Sequence, residues 1–417
     1  MIMQVSLLAR IISIILGVAA TLAFAVTVIR LVKPALRFCF AGQAGPAPRS
    51  AAPRHMLLYL ALALLALRLA QYALSYGAVQ LAGAYPGYEG WARFARAWTQ
   101  WDAMHYLHIA EHGYQRVGED MNLIVFFPLY PLLVRLLHAV IPDYFASALV
   151  LSYACSVGAA WFFYQYVRLK HAHRVACWAV AFLFISPAAF FTAAPYTEAL
   201  FLLLTFACLY CARRGAWLLC GLCGMLAACT RNVGVLLILP CAMEAFHQMR
   251  TSPRAKRGVW CLFLIPLGLA AYCALNYAVL GDPFRFMFYQ STHWGQRFGF
   301  FATTLRTLFE AMLAYRDVPL RWILWGPEFF SSVIALSLLC WQARSMRPSD
   351  AAFALCYYMV VISATNLLSA MRYLMVLYPL YIAFAQCRPR ARWALAAGSC
   401  ALMCALMCMY CQGMMVY

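Results

Sequence analysis

Asp102, His105, His108, Glu111 and His112 fall within eleven residues of one another, in the stretch WDAMHYLHIAEHGY (Trp101–Tyr114). The chain carries only 13 acidic residues in 417, and four of them lie between Trp101 and Arg135. A carboxylate held against an apolar wall has a raised pKa, which suits it to take a proton from a hydroxyl. Asp102 is placed for that role, yet Asp is also a favoured helix N-cap, and the residues alone leave both readings open. His105 and His108 share a helix face, the spacing of a metal pair, but no strict ligand motif surrounds them. Glu111 is suited to hold a sugar hydroxyl or a divalent metal, and equally to sit exposed at the end of its helix before Gly113.

Further polar residues interrupt apolar runs elsewhere. Tyr196 and Glu198 follow a proline-containing turn in SPAAFFTAAPYTE. An ionisable group at the edge of a membrane span is costly and points to function, although a carboxylate also favours a helix N-terminus. Arg231 and Arg372 stand at span ends where the charge trend disfavours them. Their planar donor forks fit a phosphate, and their length also lets them snorkel to headgroups. Gln290, His293 and Trp294 lie in GDPFRFMFYQSTHWGQR, whose aromatic, amide and imidazole groups suit a sugar, or an amphipathic helix on the bilayer surface.

The elements that must position these residues are membrane helices. The chain is 66% hydrophobic and 11% charged, against about 25% charged in soluble domains. Its apolar runs have the length of bilayer-crossing helices, and the alternating pattern of a β-barrel is absent. The fold expected is all-α, a polytopic bundle of about twelve helices. The spans read as 9–32, 56–82, 145–167, 175–193, 197–212, 216–230, 233–249, 259–280, 322–343, 351–370, 373–387 and 392–412.

The net charge of +19 does not mark a nucleic-acid partner, because the basic residues sit in short loops between spans. With twelve spans the clusters around Lys33, Arg49, Arg168, Arg213, Arg250, Arg344 and Arg388 all face the cytoplasm, and both termini lie outside. The loop 83–144, the turn before Glu198, Arg231, the loop 281–321 and Arg372 then share the opposite face. Segment 123–141, with Pro128, Pro131 and Arg135, reads as re-entrant or interfacial, since a crossing there would invert every later basic cluster. Residues 1–55 read as an added helix with a basic cytoplasmic linker, and 56–417 as the main domain. The eighteen Cys lie mostly in apolar runs. Cys220 and Cys223 form a CxxC with no second pair, so no metal site is expected from them.

The segments WDAMHYLHIAEHGY with FFPLYPLLVRLL, SPAAFFTAAPYTEALFLLLTFACLY, TRNVGVLL, GDPFRFMFYQSTHWG and MRYLMVLYPLYIAF resemble, in order, those of the PIG-V mannosyltransferases. The resemblance implies a GT-C type membrane glycosyltransferase with a large first outer loop carrying amphipathic helices. It implies a polyprenyl-phosphate-mannose donor, a lipid or glycan acceptor, and catalysis on the non-cytoplasmic face with inversion. The added helix and the Ala/Arg bias of the chain point to a bacterial cytoplasmic membrane. Asp102 matches the position of the catalytic base, and Glu111 and Glu198 match other acidic positions. Trp101, His105, Tyr196, Arg231, Gln290, His293, Trp294, Arg372 and Tyr373 complete the set expected to meet substrate. No cofactor is firmly expected, with room left for a divalent metal. A flippase for lipid-linked sugars, for which Arg68 and Gln71 in the second span would be the mid-membrane polar groups, and a non-catalytic subunit of a glycan assembly complex are the rival readings.

Overall fold

The computed structural model describes residues 5–40, 53–250, 252–315 and 317–416. Among them there is no β-strand, only one isolated bridge between Phe298 and Ala364. The linker basic residue Arg49 lies outside the described residues.

Six helices are long and apolar enough to cross a membrane: Leu7–Phe40, Met56–Leu81, Tyr144–Arg168, Val259–Leu280, Val318–Gln342 and Pro389–Cys411. At 1.5 Å per residue, even 22 residues reach about 33 Å, enough for a hydrocarbon core of about 30 Å. Their outward faces are bare hydrocarbon; Leu7, Ile15, Leu22 and Ile29 on the first helix are all exposed. In water such a surface would drive aggregation, whereas in lipid it is the stable state. The protein is an integral membrane protein.

The other expected spans correspond to shorter helices, several broken by 3-10 turns. The apolar run 175–193 becomes His173–Phe184 followed by a 3-10 turn at Ala189–Thr192, and 233–249 divides into Asn232–Leu237 and Ile238–Met249. Segment 123–141 bends by 108° between Glu119–Val125 and Leu129–His138. The second piece has ten residues, about 15 Å, half of a bilayer core.

At the centre stands Glu198–Arg214, with 13 of its 17 residues buried. It packs between Tyr144–Arg168 and Trp217–Thr230. A helix apolar on every side belongs in the interior, as this one does. The next layer, Leu264–Leu280, approaches Trp217–Thr230 so closely that a Cβ on Gly268 would stand 2.1 Å from the Met225 carbonyl oxygen. Small residues permit such backbone contact, which dispersion and packing reward where no hydrophobic effect acts between helices.

The first helix is docked on the bundle. Ser13 donates to Glu310 Oε1 at 2.6 Å, and Phe24 packs on Phe301. At its other end the Phe38 ring lies under the Arg347 guanidinium and stacks on His247. Arg347 makes two hydrogen bonds to the buried Glu244, at 2.6 and 2.8 Å, and Ser349 adds a third. Arg213, at the C-terminal end of the central helix, lies 3.6 Å from the same carboxylate. Glu198 begins that helix, 15 residues earlier, about 22 Å away. Two ionic clusters therefore cap opposite ends of one buried helix.

Candidate active site

Trp101 precedes the helix Asp102–His112 with φ +51, left-handed for a residue that rarely adopts it. The turn makes Trp101 the N-cap and leaves Asp102 as the first helical residue, with no side-chain cap hydrogen bond. The N-cap reading of Asp102 is thus corrected: its carboxylate turns away from its own helix and accepts from Arg372 Nη2 at 2.8 Å.

Arg372, buried and carried on the short helix Ala370–Leu374, faces a second carboxylate. Its Nε lies 3.0 Å from Glu198 Oε1. Arg231, which ends the helix Trp217–Thr230, donates to that same oxygen at 2.7 Å. Residues from four separated segments thus form one chain, Asp102–Arg372–Glu198–Arg231. Aromatic faces surround it. The Tyr373 ring lies 4.6 Å from the Arg231 guanidinium and 5.4 Å from that of Arg372, and Tyr196 and Phe191 cover Arg372 from other sides. These contacts replace hydration of the cations that burial removes.

The electrostatics follow from the pairing. Burial opposes charge on Arg372, but Asp102 and Glu198 outweigh it and hold its pKa well above the ordinary value. Arg231 behaves likewise, with Glu198 overcoming the desolvation. Two carboxylates and two guanidinium groups balance. Asp102 is the member most open to solvent, its side chain 27% exposed against 3% for Glu198. Glu198 Oε2 is buried with no hydrogen-bond partner among the described residues. It is an acceptor waiting for a donor.

His105 lies one turn beyond Asp102, its ring 5.1 Å from Phe126, which in turn meets Trp294 at 5.8 Å. Burial lowers the His105 pKa, with Asp102 pulling against it. His293 touches Trp294 and lies 3.4 Å from Asn122. Gly118, Glu119, Asn122, Tyr289 and His293 line a cavity of about 420 Å³ in this region. Gln290 bonds to Gln296 instead of meeting the charged chain. Glu111 stands apart: its side chain is 56% exposed, and it is the Glu111 carbonyl that takes a bond from Arg135. His108 turns from His105 to Asp120, at 3.3 Å.

Other residues hold the backbone that carries the site. Tyr196 and Tyr410 both donate to the Gln100 carbonyl oxygen, fixing the segment just before Trp101. Glu328, buried inside the fifth long helix, accepts from the Ala370 backbone N–H at 2.5 Å and so holds the turn that carries Arg372. An acid inside an apolar run was the signal for Glu328. Arg68 is a different case. It bonds to Gln71, Ser156 and Thr192 in the interior, bracing the 3-10 turn next to Phe191.

The family of mannosyltransferases (PIG-V) matches residues 54–273 of this chain. GPI alpha-1,6-mannosyltransferase 2 of Mus musculus is 37% identical over 149 residues, covering 33% of this chain and 29% of that protein. The Rattus norvegicus protein of the same name is 36% identical over 151 residues, 34% of this chain and 30% of its own length. The chain thus aligns with under a third of these curated relatives' length. No solved structure matches it. The matched region holds three of the four charged residues, Asp102, Glu198 and Arg231, and the chain belongs to the PIG-V mannosyltransferase family.

Proposed function

We propose that this protein is a membrane mannosyltransferase that moves mannose from a polyprenyl-phosphate carrier to a lipid or glycan acceptor on the non-cytoplasmic face. The observation that carries the reading is the chain Asp102–Arg372–Glu198–Arg231, a half-open carboxylate joined to two buried guanidinium groups. It offers a base and an anion clamp within one hydrogen-bonded unit.

The acceptor hydroxyl gives its proton to Asp102 as its oxygen bonds to the anomeric carbon. The bond from that carbon to the carrier phosphate breaks on the opposite face, which inverts the centre. The phosphate leaves with the electron pair, steadied by Arg372 and Arg231. Positioning and fixed positive charge beside the leaving group supply most of the acceleration. Glu198 keeps both cations charged and aimed, and its free Oε2 accepts a hydroxyl from the sugar. The wall of His105, Phe126 and Trp294 receives the acceptor. The basic ends of the helices, Arg213 and Arg347, lie at the far end of the central helix from Glu198, which supports placing the site opposite the cytoplasm.

The test is sugar transfer in reconstituted liposomes, with radiolabelled polyprenyl-phosphate-mannose and a lipid and glycan extract from the source. Label passing to a new product with wild type and not with Asp102→Ala is the expected result. Label crossing the bilayer without changing its chemical partner, equally in both proteins, refutes the transferase and indicates a flippase.

A further inference from the structure

Cys208, Cys220 and Cys241 come from three different helices, Glu198–Arg214, Trp217–Thr230 and Ile238–Met249, and meet in the interior. Their sulfur atoms are 3.7, 3.5 and 3.5 Å apart, and all three residues have no exposed surface. Cys223, the other half of the CxxC, is only partly buried and is not a member. Among the described residues this is the only group of three His, Cys, Asp or Glu side chains whose ligand atoms lie within 4.8 Å of one another.

We infer that these three thiols form a binding site for a soft monovalent cation, Cu(I). With metal–sulfur bonds of about 2.3 Å, three sulfurs around one ion stand about 3.8–4.0 Å apart. The observed triangle needs to open by only a few tenths of an ångström. The donor set selects the ion. Calcium and magnesium take oxygen ligands, which this triangle lacks. Structural zinc is almost always four-coordinate, and iron–sulfur clusters need four protein ligands. Three thiolates without a fourth ligand suit Cu(I), which prefers soft sulfur donors. Thiols give up protons when they coordinate, so binding strengthens as pH rises.

The site would staple the helices that present both catalytic cations' partner and one of the cations. Cys208 lies ten residues along from Glu198, and Cys220 eleven residues before Arg231, about 15 and about 17 Å along the helices. Cys241 is one turn from Glu244, which anchors the other ionic cluster. Copper here would hold the central helix against its neighbours without touching substrate, so the inference stands apart from the transfer reaction.

The experiment uses the full chain, reduced and purified in detergent without copper. Cu(I) is supplied anaerobically from its bathocuproine disulfonate complex, and loss of the chelator's colour reports transfer. Wild type and the control Cys404→Ser should each retain about one ion per chain, while Cys208→Ser, Cys220→Ser and Cys241→Ser retain none at that site. X-ray absorption on loaded wild type should show three sulfur neighbours at about 2.3 Å. This second measurement tests the three-thiolate geometry whether or not the serine variants fold. No copper taken from the chelator, equal retention in all the variants, or a first shell of oxygen and nitrogen would each overturn the site and leave the three thiols as ordinary core packing.

Discussion

Asparagine at Asp102 separates the two tasks of this carboxylate. The amide keeps the size of the side chain and still offers an oxygen to Arg372 Nη2, now 2.8 Å from Asp102 Oδ2. What it cannot do is accept a proton. Removing a general base costs roughly 10²–10⁴ in rate, which is about 3–5 kcal/mol of barrier. The stability loss should be smaller. A hydrogen bond between two charged groups becomes one with a single charge, and Arg372 retains Glu198 as its counterion, so about 1–2 kcal/mol is expected. The assay is single-turnover mannose transfer in liposomes, paired with a denaturation curve in detergent. Asp102→Asn should bind donor, melt close to wild type and fail to transfer. Turnover within about threefold of wild type would refute the base assignment. A protein as destabilised as it is inactive would make Asp102 a structural ion-pair partner instead.

At Glu198 the order reverses. Its Oε1 meets two guanidinium groups and the side chain is 3% exposed, so Glu198→Gln leaves the buried Arg231 without a counterion and Arg372 with Asp102 alone, and should destabilise by about 3–5 kcal/mol; a denaturation midpoint unchanged from wild type would contradict the pairing. Gly268→Ala drives a methyl group to 2.1 Å from the Met225 backbone oxygen, and separating the two helices should lower stability by about 2 kcal/mol, visible as a lower thermal midpoint with activity per folded molecule retained. His105 supplies a pH signature. Its folded pKa is depressed chiefly by burial, so its contribution is present above the unfolded value of about 6.5 and is lost as pH falls through the folded pKa. Wild type should therefore lose stability as pH falls below about 6.5 more steeply than His105→Phe, and parallel curves would show that the imidazole is not titrating there.

Asp102, Glu198, Arg231 and Arg372 were legible because a charge in so apolar a chain demands a reason, and the demand holds whatever the fold. What joins them was not legible. Arg372 and Asp102 are 270 residues apart, and no local periodicity reports such a contact. Glu244 shows the same limit: Arg213 and Arg347 read as loop charges facing the cytoplasm, yet both turn to one buried carboxylate. Glu111 was open to two readings for the opposite reason, since an acid at a helix end looks the same in sequence whether it faces a cavity or solvent; its side chain is exposed. Counting spans by apolar length also missed the breaks. Pro187 disfavours helical geometry at Ser186, and the helix stops at Phe184 with apolar residues continuing into a 3-10 turn. Lipid accepts such irregular backbone only where protein covers it, and Ala189–Thr192 are all buried.

Charge conservation gives the chain of four residues its physical sense. Burying ion pairs is poor economy for stability alone, since desolvation offsets most of the attraction. A reaction that shifts charge has a different requirement. On the proposed transfer, a phosphodiester with one negative charge becomes a monoester that can carry two, while Asp102 goes from charged carboxylate to neutral acid as the acceptor proton arrives. The total charge of the site stays constant; its negative end moves from Asp102 to the departing phosphate. Arg372 contacts Asp102 directly and leans on Glu198 from behind, so one guanidinium can turn from the carboxylate to the phosphate without leaving its aromatic box. Fixed dipoles and charges that need little rearrangement are what lower a barrier in a dry site. Glu198, whose Oε1 is bonded to both cations, keeps the pair from repelling before the phosphate arrives.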